Sequence, residues 1–144
     1  MKFRILILLI LLFPLETKSQ GPKPGDLDFL VNVSGVKTLS FNEVVSIFKN
    51  GKSLWPNGQK VTIVLPSNKS EFAEKVASEV YGGSISSMQK FWLALVFQGR
   101  ASPPVFLQTE EEIFDYVSKN PGSIGVVPKG HPNFPEKFRL TISR

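Results

Sequence analysis

The chain has 144 residues, of which 42% are hydrophobic and 20% are charged, and its formal net charge is +5. This balance is typical of a single globular domain and excludes a disordered or fibrous chain. The absence of cysteine and the presence of one histidine exclude disulfide scaffolds, thiolate metal sites, cysteine nucleophiles and most catalytic zinc sites.

The amino terminus has the layout of a cleavable secretory signal peptide. Lys2 and Arg4 precede an apolar run at residues 5–13, and a cleavage site follows before Gln20. Nine apolar residues are too few for a membrane-spanning helix, which takes about twenty. We therefore expect residues 1–19 to be removed and the protein to be periplasmic or secreted, with no membrane span after cleavage.

The rest of the chain is predicted to be a flexible leader, residues 20–27, followed by one α/β domain, residues 28–144. Its basic residues are scattered and form no stretch interleaved with aromatic residues. Because nucleic-acid binding needs a concentrated basic face, we expect no nucleic-acid partner.

Apolar, β-branched runs bounded by turn residues predict strands, which alternate with helices along the chain. The strands are predicted at residues 29–33, 61–65, 123–127 and 138–142, the last of them exposed. Three helix starts carry a capping box, in which a polar side chain and a glutamate three residues later satisfy each other's backbone amides. The three pairs are Ser40 with Glu43, Asn68 with Glu71, and Thr109 with Glu112.

A further helix is predicted from apolar residues at helical spacing, and these include Phe91 and Trp92. Such stripes usually face the core, so we expect Trp92 to be buried. The first helix is predicted to stop at Gly51. The chain is thus expected to form a small mixed sheet flanked by about four helices, an α/β fold.

Three ordered groups of residues resemble phosphate-type periplasmic solute-binding proteins. The groups are Leu39-Ser40, Ile47-Phe48, Gly51, Trp55 and Gly58; then Phe91-Trp92, Phe97, Gly99-Arg100 and Pro103-Pro104; then Tyr116-Val117 and Asn120-Pro121-Gly122-Ser123-Ile124-Gly125. The resemblance implies a single lobe of the type II periplasmic-binding-protein fold. It also implies a non-enzymatic, exported protein that binds a small anion such as phosphate and needs no cofactor.

The predicted ligand site combines one turn with one arginine. Ser67, Asn68, Lys69 and Ser70 lie between a strand and a helix, where backbone amides and the helix dipole favour an anion. Arg100 follows the aromatic helix, and its guanidinium suits a carboxylate or phosphate. Full phosphate binders of the family have a Ser-Gly-Thr-like loop, which this turn lacks.

Each of these features also has a structural explanation. The turn is an ordinary helix cap if Asn68 satisfies the helix and Lys69 points into water, and Arg100 is a helix-end charge if it neutralises the dipole. His131, with no second histidine nearby, is expected to be solvent-exposed, and no metal site is expected. Two alternatives to an anion-binding protein remain open. One is an envelope protein-protein interaction module, whose partner could be a second copy of the chain, and the other, from a different class, is a small secreted hydrolase.

Overall fold

The computed structural model describes residues 25–50 and 54–143. The predicted signal peptide and Gly51, the predicted end of the first helix, lie outside these residues. The elements in chain order are β1 (Leu27–Val31), β2 (Thr38–Ser40), α1 (Phe41–Asn50), β3 (Thr62–Pro66), α2 (Ala73–Tyr81), α3 (Ile85–Phe97), β4 (Val105–Leu107), α4 (Glu110–Lys119), β5 (Ser123–Pro128), a 3-10 helix (Glu136–Phe138) and β6 (Thr141–Ser143). Over the described ranges, no helix combines the length and apolarity that crossing a bilayer would require.

The main sheet has four strands in the order β1-β5-β3-β4. β3 runs parallel to both of its neighbours, and β1 pairs antiparallel with β5, with Phe29 opposite Val126. β2 and β6 form a separate two-stranded parallel sheet. The prediction of a small mixed sheet with four helices is therefore confirmed.

The connections distribute the helices over both faces of the main sheet. From β3 the chain runs through α2 and α3 to β4, the neighbouring strand at the edge of the sheet. From β4 it runs through α4 in the opposite direction, past β3, to β5. Parallel crossovers are almost always right-handed, so connections that run in opposite directions put their helices on opposite faces. α4 accordingly packs on β5, β1 and β3, whereas α2 packs against α1 and α3.

Close packing of α4 on the sheet depends on Gly125 in β5. A Cβ atom at this position would lie 2.7 Å from Ile113 Cγ2 and 3.1 Å from Val117 Cγ2, both side chains of α4. These distances are shorter than van der Waals contact. The glycine is therefore what lets the helix approach the central strands.

The opposite face is held by a hydrogen-bonded chain that links three helices. Trp92 of α3 is 3% exposed, as expected, and its Nε1 donates to the hydroxyl of Tyr81 at the end of α2 at 2.8 Å. The Tyr81 hydroxyl in turn donates to the backbone oxygen of Phe48 in α1 at 3.2 Å. The polar atoms of two large aromatic side chains are thereby satisfied inside the core.

Two of the three predicted capping boxes are present. The Ser40–Glu43 box and the Thr109–Glu112 box each have both reciprocal hydrogen bonds. The box predicted for Asn68 is wrong, because α2 begins at Ala73 and its N-cap, Phe72, makes no side-chain cap bond. Two successive turns occupy the residues between the strand and the helix.

Strand boundaries differ from the predictions mainly at the ends of the chain. β1 begins at Leu27, which was assigned to the flexible leader, and β6 begins at Thr141 because the 3-10 helix precedes it. β2 and β4, each three residues long, were not predicted. The C-terminal segment is joined to β1 by Arg139, whose Nη1 lies 2.5 Å from Asp28 Oδ2 and which also donates to the backbone oxygens of His131 and Phe134.

Candidate functional site

A crevice opens at the carboxyl edge of the main sheet, between β3 and β4. The chain leaves β3 toward α2 on one face and leaves β4 toward α4 on the other, so the two connections diverge at this point. In α/β sheets such a divergence is where ligands usually bind. The crevice has a volume of about 320 Å³ and is lined by Lys69, Glu71, Phe72, Gln108, Thr109, Glu110 and Glu111.

Of the predicted turn at residues 67–70, Lys69 lines the crevice, but most of the turn's amides are already used. The Ser67 amide donates to Leu107 O at 2.7 Å and extends the pairing of β3 with β4. The amides of Lys69 and Ser70 donate to Ser67 Oγ at 3.4 Å and Ser67 O at 3.0 Å. The turn therefore stabilises itself and does not present a ring of amides to a ligand.

The side chains of this turn differ in their surroundings. Asn68 and Lys69 are exposed, and Lys69 reaches the crevice. Ser70 is 8% exposed, and its Oγ has no hydrogen-bond partner among the described residues. An unpaired buried hydroxyl costs free energy, so this position is not an optimised structural cap.

Arg100 lies elsewhere. It follows α3 and precedes β4, at the amino end of that strand, whereas residues 67–70 follow the carboxyl end of β3. Its side chain is exposed and lies 3.4 Å from Gln98 Oε1. The structure does not bring Arg100 to the crevice, so the two halves of the predicted site are separate.

The charge lining the crevice is mainly negative. Three glutamates, Glu71, Glu110 and Glu111, share it with one lysine, Lys69. Burial raises the pKa of the Glu110 carboxyl, an effect that nearby His131 partly offsets. The pKa of Glu111 is lowered by its hydrogen bond to its own backbone amide and then by its bond to His131.

His131 stands beside the crevice and is not solvent-exposed as expected. Its side chain is 15% exposed, its ring stacks on Phe134 with centroids 3.8 Å apart, and Nε2 lies 3.3 Å from Glu111 Oε1. Phe134 in turn stacks on Phe114 of α4. The expectation was wrong because Glu111 and Phe114, each about twenty residues from its partner in the sequence, reach the His131–Phe134 stack only in the folded chain. Within the part of the chain that the structure describes, no group of three or more His, Asp or Glu side chains could hold a metal ion.

Gln108, Glu110 and Glu111 were not predicted as site residues. The signal that could have pointed to them is the Thr109–Glu112 capping box, because it marks a helix start directly after a strand. Whether that helix start meets residues 67–70 depends on the pairing of β3 with β4, which the sequence does not reveal.

Comparison with solved structures assigns the fold. The chain matches PstS from Borrelia burgdorferi with a TM-score of 0.63 at 14% sequence identity, over 82% of this chain and 47% of that one. It also matches an ABC-type phosphate transport receptor from Vibrio cholerae with a TM-score of 0.53 at 17% identity, over 72% of this chain and 41% of that one. Comparisons with protein-family profiles and with curated proteins give no match.

These matches confirm the resemblance at the level of the fold. The chain has the α/β architecture of part of these two phosphate receptors, and it spans less than half the length of each of them. Identities of 14% and 17% identify a shared architecture and no more. Any function must therefore be argued from the residues of the site.

Proposed function

We propose that this protein is an exported, non-enzymatic binding protein that takes a small anion in the crevice between β3 and β4. The observation that carries this proposal is the position of the crevice, where the connections after β3 and β4 diverge at the carboxyl edge of the sheet. The shared architecture with phosphate receptors supports the same class of activity.

Lys69 is the residue that we expect to contact the anion. It is exposed, lies in the crevice wall, and precedes Ser70, whose buried Oγ has no hydrogen-bond partner within residues 25–50 and 54–143. Ser67 stabilises the turn that carries both, because its Oγ and backbone oxygen accept from the Lys69 and Ser70 amides, and Asn68 is an exposed residue of the same turn. Arg100, at the other end of β4, is not part of this proposed site.

The affinity should be low because the crevice is mainly acidic. Glu71 and Glu110 repel an anion that Lys69 attracts, and the open crevice leaves the ligand in contact with water, which screens the attraction. We therefore expect phosphate to bind with a dissociation constant of about 1 mM, equivalent to roughly 4 kcal/mol.

Calorimetric titration of the protein with inorganic phosphate at low salt tests this proposal. Lys69→Ala should abolish binding, whereas Lys90→Ala, which removes an exposed lysine of α3 outside the crevice, should leave it unchanged. Glu110→Gln should tighten binding about fivefold, since a unit charge about 4 Å away in water is worth about 1 kcal/mol. Binding that Lys69→Ala does not weaken, or no binding at all, would refute the anion site.

Export rests on the amino-terminal sequence alone, with its basic start, its apolar run at residues 5–13 and its cleavage site before Gln20. Mass spectrometry of the envelope or culture fluid should detect a protein that begins near Gln20. Recovery of the intact chain from Met1 in the membrane fraction would contradict the proposal.

A second candidate function, an envelope protein-protein interaction module, is favoured by a different observation. Three large apolar side chains of α3 and β4, those of Leu93, Phe97 and Phe106, are substantially exposed. Exposed apolar patches on soluble domains commonly mark interaction sites.

A further inference from the structure

Three of the exposed large apolar side chains lie on α3 and β4, and we call them the α3–β4 surface (Leu93, Phe97 and Phe106). Phe97 is 82% exposed, Leu93 57% and Phe106 40%. Leu93 and Phe97 are four residues apart and share one side of α3. Beside them a groove of about 220 Å³ is lined by Gln89, Trp92, Leu93, Val96, Pro103, Pro104 and Phe106.

β4 is also an open edge of the main sheet. It pairs with β3 on one side, and no other strand of the described residues pairs with the opposite side. Leu107 O accepts from the Ser67 amide, so Leu107 directs its backbone groups toward β3. Successive residues of an edge strand direct their backbone N–H and C=O groups to opposite sides of the strand. The N–H and C=O of Phe106 therefore point away from the sheet.

The outward-facing backbone N–H and C=O groups of a residue at the centre of a short strand can pair with the same groups of a second copy. In an antiparallel pair related by a two-fold axis, Phe106 of one copy would lie opposite Phe106 of the other. The two residues would then exchange both N–H···O=C bonds. An edge of this kind can pair with a second copy of the same strand and needs no other sequence.

The neighbouring residues allow only this register. Pro104 has no N–H, and the Gln108 amide already donates to Glu112 Oε2 at 2.8 Å. The ladder therefore consists of the Phe106 pair alone, and a shifted register would gain fewer bonds. The short pairing leaves most of the contact to the side chains of α3.

The side chains suit this arrangement because the surface carries little charge. Phe106 lines the same groove as Leu93 and Trp92, so it lies on the α3 face of the sheet, and the two-fold axis would bring the two α3 helices together on that face. α3 has a single charged residue, Lys90. Interface cores are typically depleted in charge and enriched in aromatic residues.

We propose that the protein forms a two-fold symmetric homodimer through the α3–β4 surface, with Phe106 at the axis. The contact is small, so we expect dissociation in the micromolar range. The proposal is independent of the anion proposed for the crevice, which lies at the carboxyl edge of the sheet and includes none of these three residues. Its failure would leave the crevice untouched.

A cysteine at the axis gives the most direct test. The two Cα atoms of such a pair lie about 5.5 Å apart, but the Cβ atoms of a hydrogen-bonded pair are too far apart for an unstrained disulfide, so a short bifunctional thiol cross-linker is needed. Because the protein has no native cysteine, Phe106→Cys treated with such a cross-linker should give a covalent dimer on a denaturing gel. Leu54→Cys, at an apolar residue that is also exposed (54%) but outside this surface, is the matched control and should stay monomeric.

Sedimentation velocity of the mature protein tests the dimer without cross-linking. The wild type and Leu54→Lys should shift from monomer to dimer with rising concentration, up to about 200 µM. Phe97→Lys should stay monomeric, and because Phe97 is almost fully exposed, the substitution should not impair folding.

A wild type that stays monomeric throughout, or a Phe97→Lys variant that still dimerises, would overturn the proposal. A monomeric wild type that binds phosphatidylglycerol vesicles through Phe97 would assign the α3–β4 surface to a membrane instead, and would equally overturn it.

Discussion

Trp92 offers the sharpest test of how the helical layer is held together. Its indole is 3% exposed, packs edge-on against Phe91 with ring centroids 5.6 Å apart, and donates to the Tyr81 hydroxyl. Trp92→Ala removes this buried ring and leaves a cavity, so we expect the free energy of unfolding to fall by about 3–5 kcal/mol. Trp92→Phe keeps most of the packing and removes the Nε1 donor, so its own cost should include about 1 kcal/mol for the lost hydrogen bond.

Urea unfolding, followed by the fluorescence of the buried Trp55, measures both variants, and Tyr81→Phe completes a double-mutant cycle. Because Trp92 and Tyr81 share one hydrogen bond, the double variant should be less destabilised than the two single variants added together, by at least about 0.5 kcal/mol. If Trp92→Ala lowers the free energy of unfolding by less than about 1 kcal/mol, the indole is not part of the hydrophobic core. Strict additivity in the cycle would refute the shared bond.

Two further predictions concern the other parts of the core. Gly125→Ala should lower the free energy of unfolding by about 1–3 kcal/mol, because the new methyl group would overlap Ile113 beneath α4; a neutral effect in urea unfolding would show that α4 can move away. Burial raises the pKa of the Tyr81 phenol, so its contribution to stability is complete below pH 10 and is lost as pH rises above that value, at up to about 1.4 kcal/mol per pH unit. Between pH 10 and 11.5 the wild type should therefore lose stability more steeply than Tyr81→Phe, and equal slopes would contradict the buried phenol.

The features that the sequence predicted correctly are those that depend on near neighbours. The Ser40–Glu43 and Thr109–Glu112 boxes join residues three apart, and their bonds are present in the fold. The burial of Trp92 follows from its spacing along one helix. Local spacing was therefore sufficient for most of the helical layer.

The features that were missed depend on contacts between distant parts of the chain. Asn68 does not cap α2, because the Ser67 amide extends the sheet by bonding to Leu107, forty residues further along. Arg100 and Lys69 were grouped in one site, but the pairing of β3 with β4 puts them near opposite ends of those strands. His131 was expected in water, yet it stacks on Phe134 and contacts Glu111. Strand order decides the first two outcomes, and the third depends on how the residues after β5 approach α4; neither leaves a local mark in the sequence.

The pairing of β1 with β5 has a consequence for how the protein is synthesised. The first strand of the sheet meets its partner almost a hundred residues later, and its Asp28 pairs with Arg139, which follows the 3-10 helix in the sequence. Contacts between such distant residues close slowly, because a long loop must be ordered first. The nascent chain therefore has no complete sheet to fold around until nearly all of it has left the ribosome.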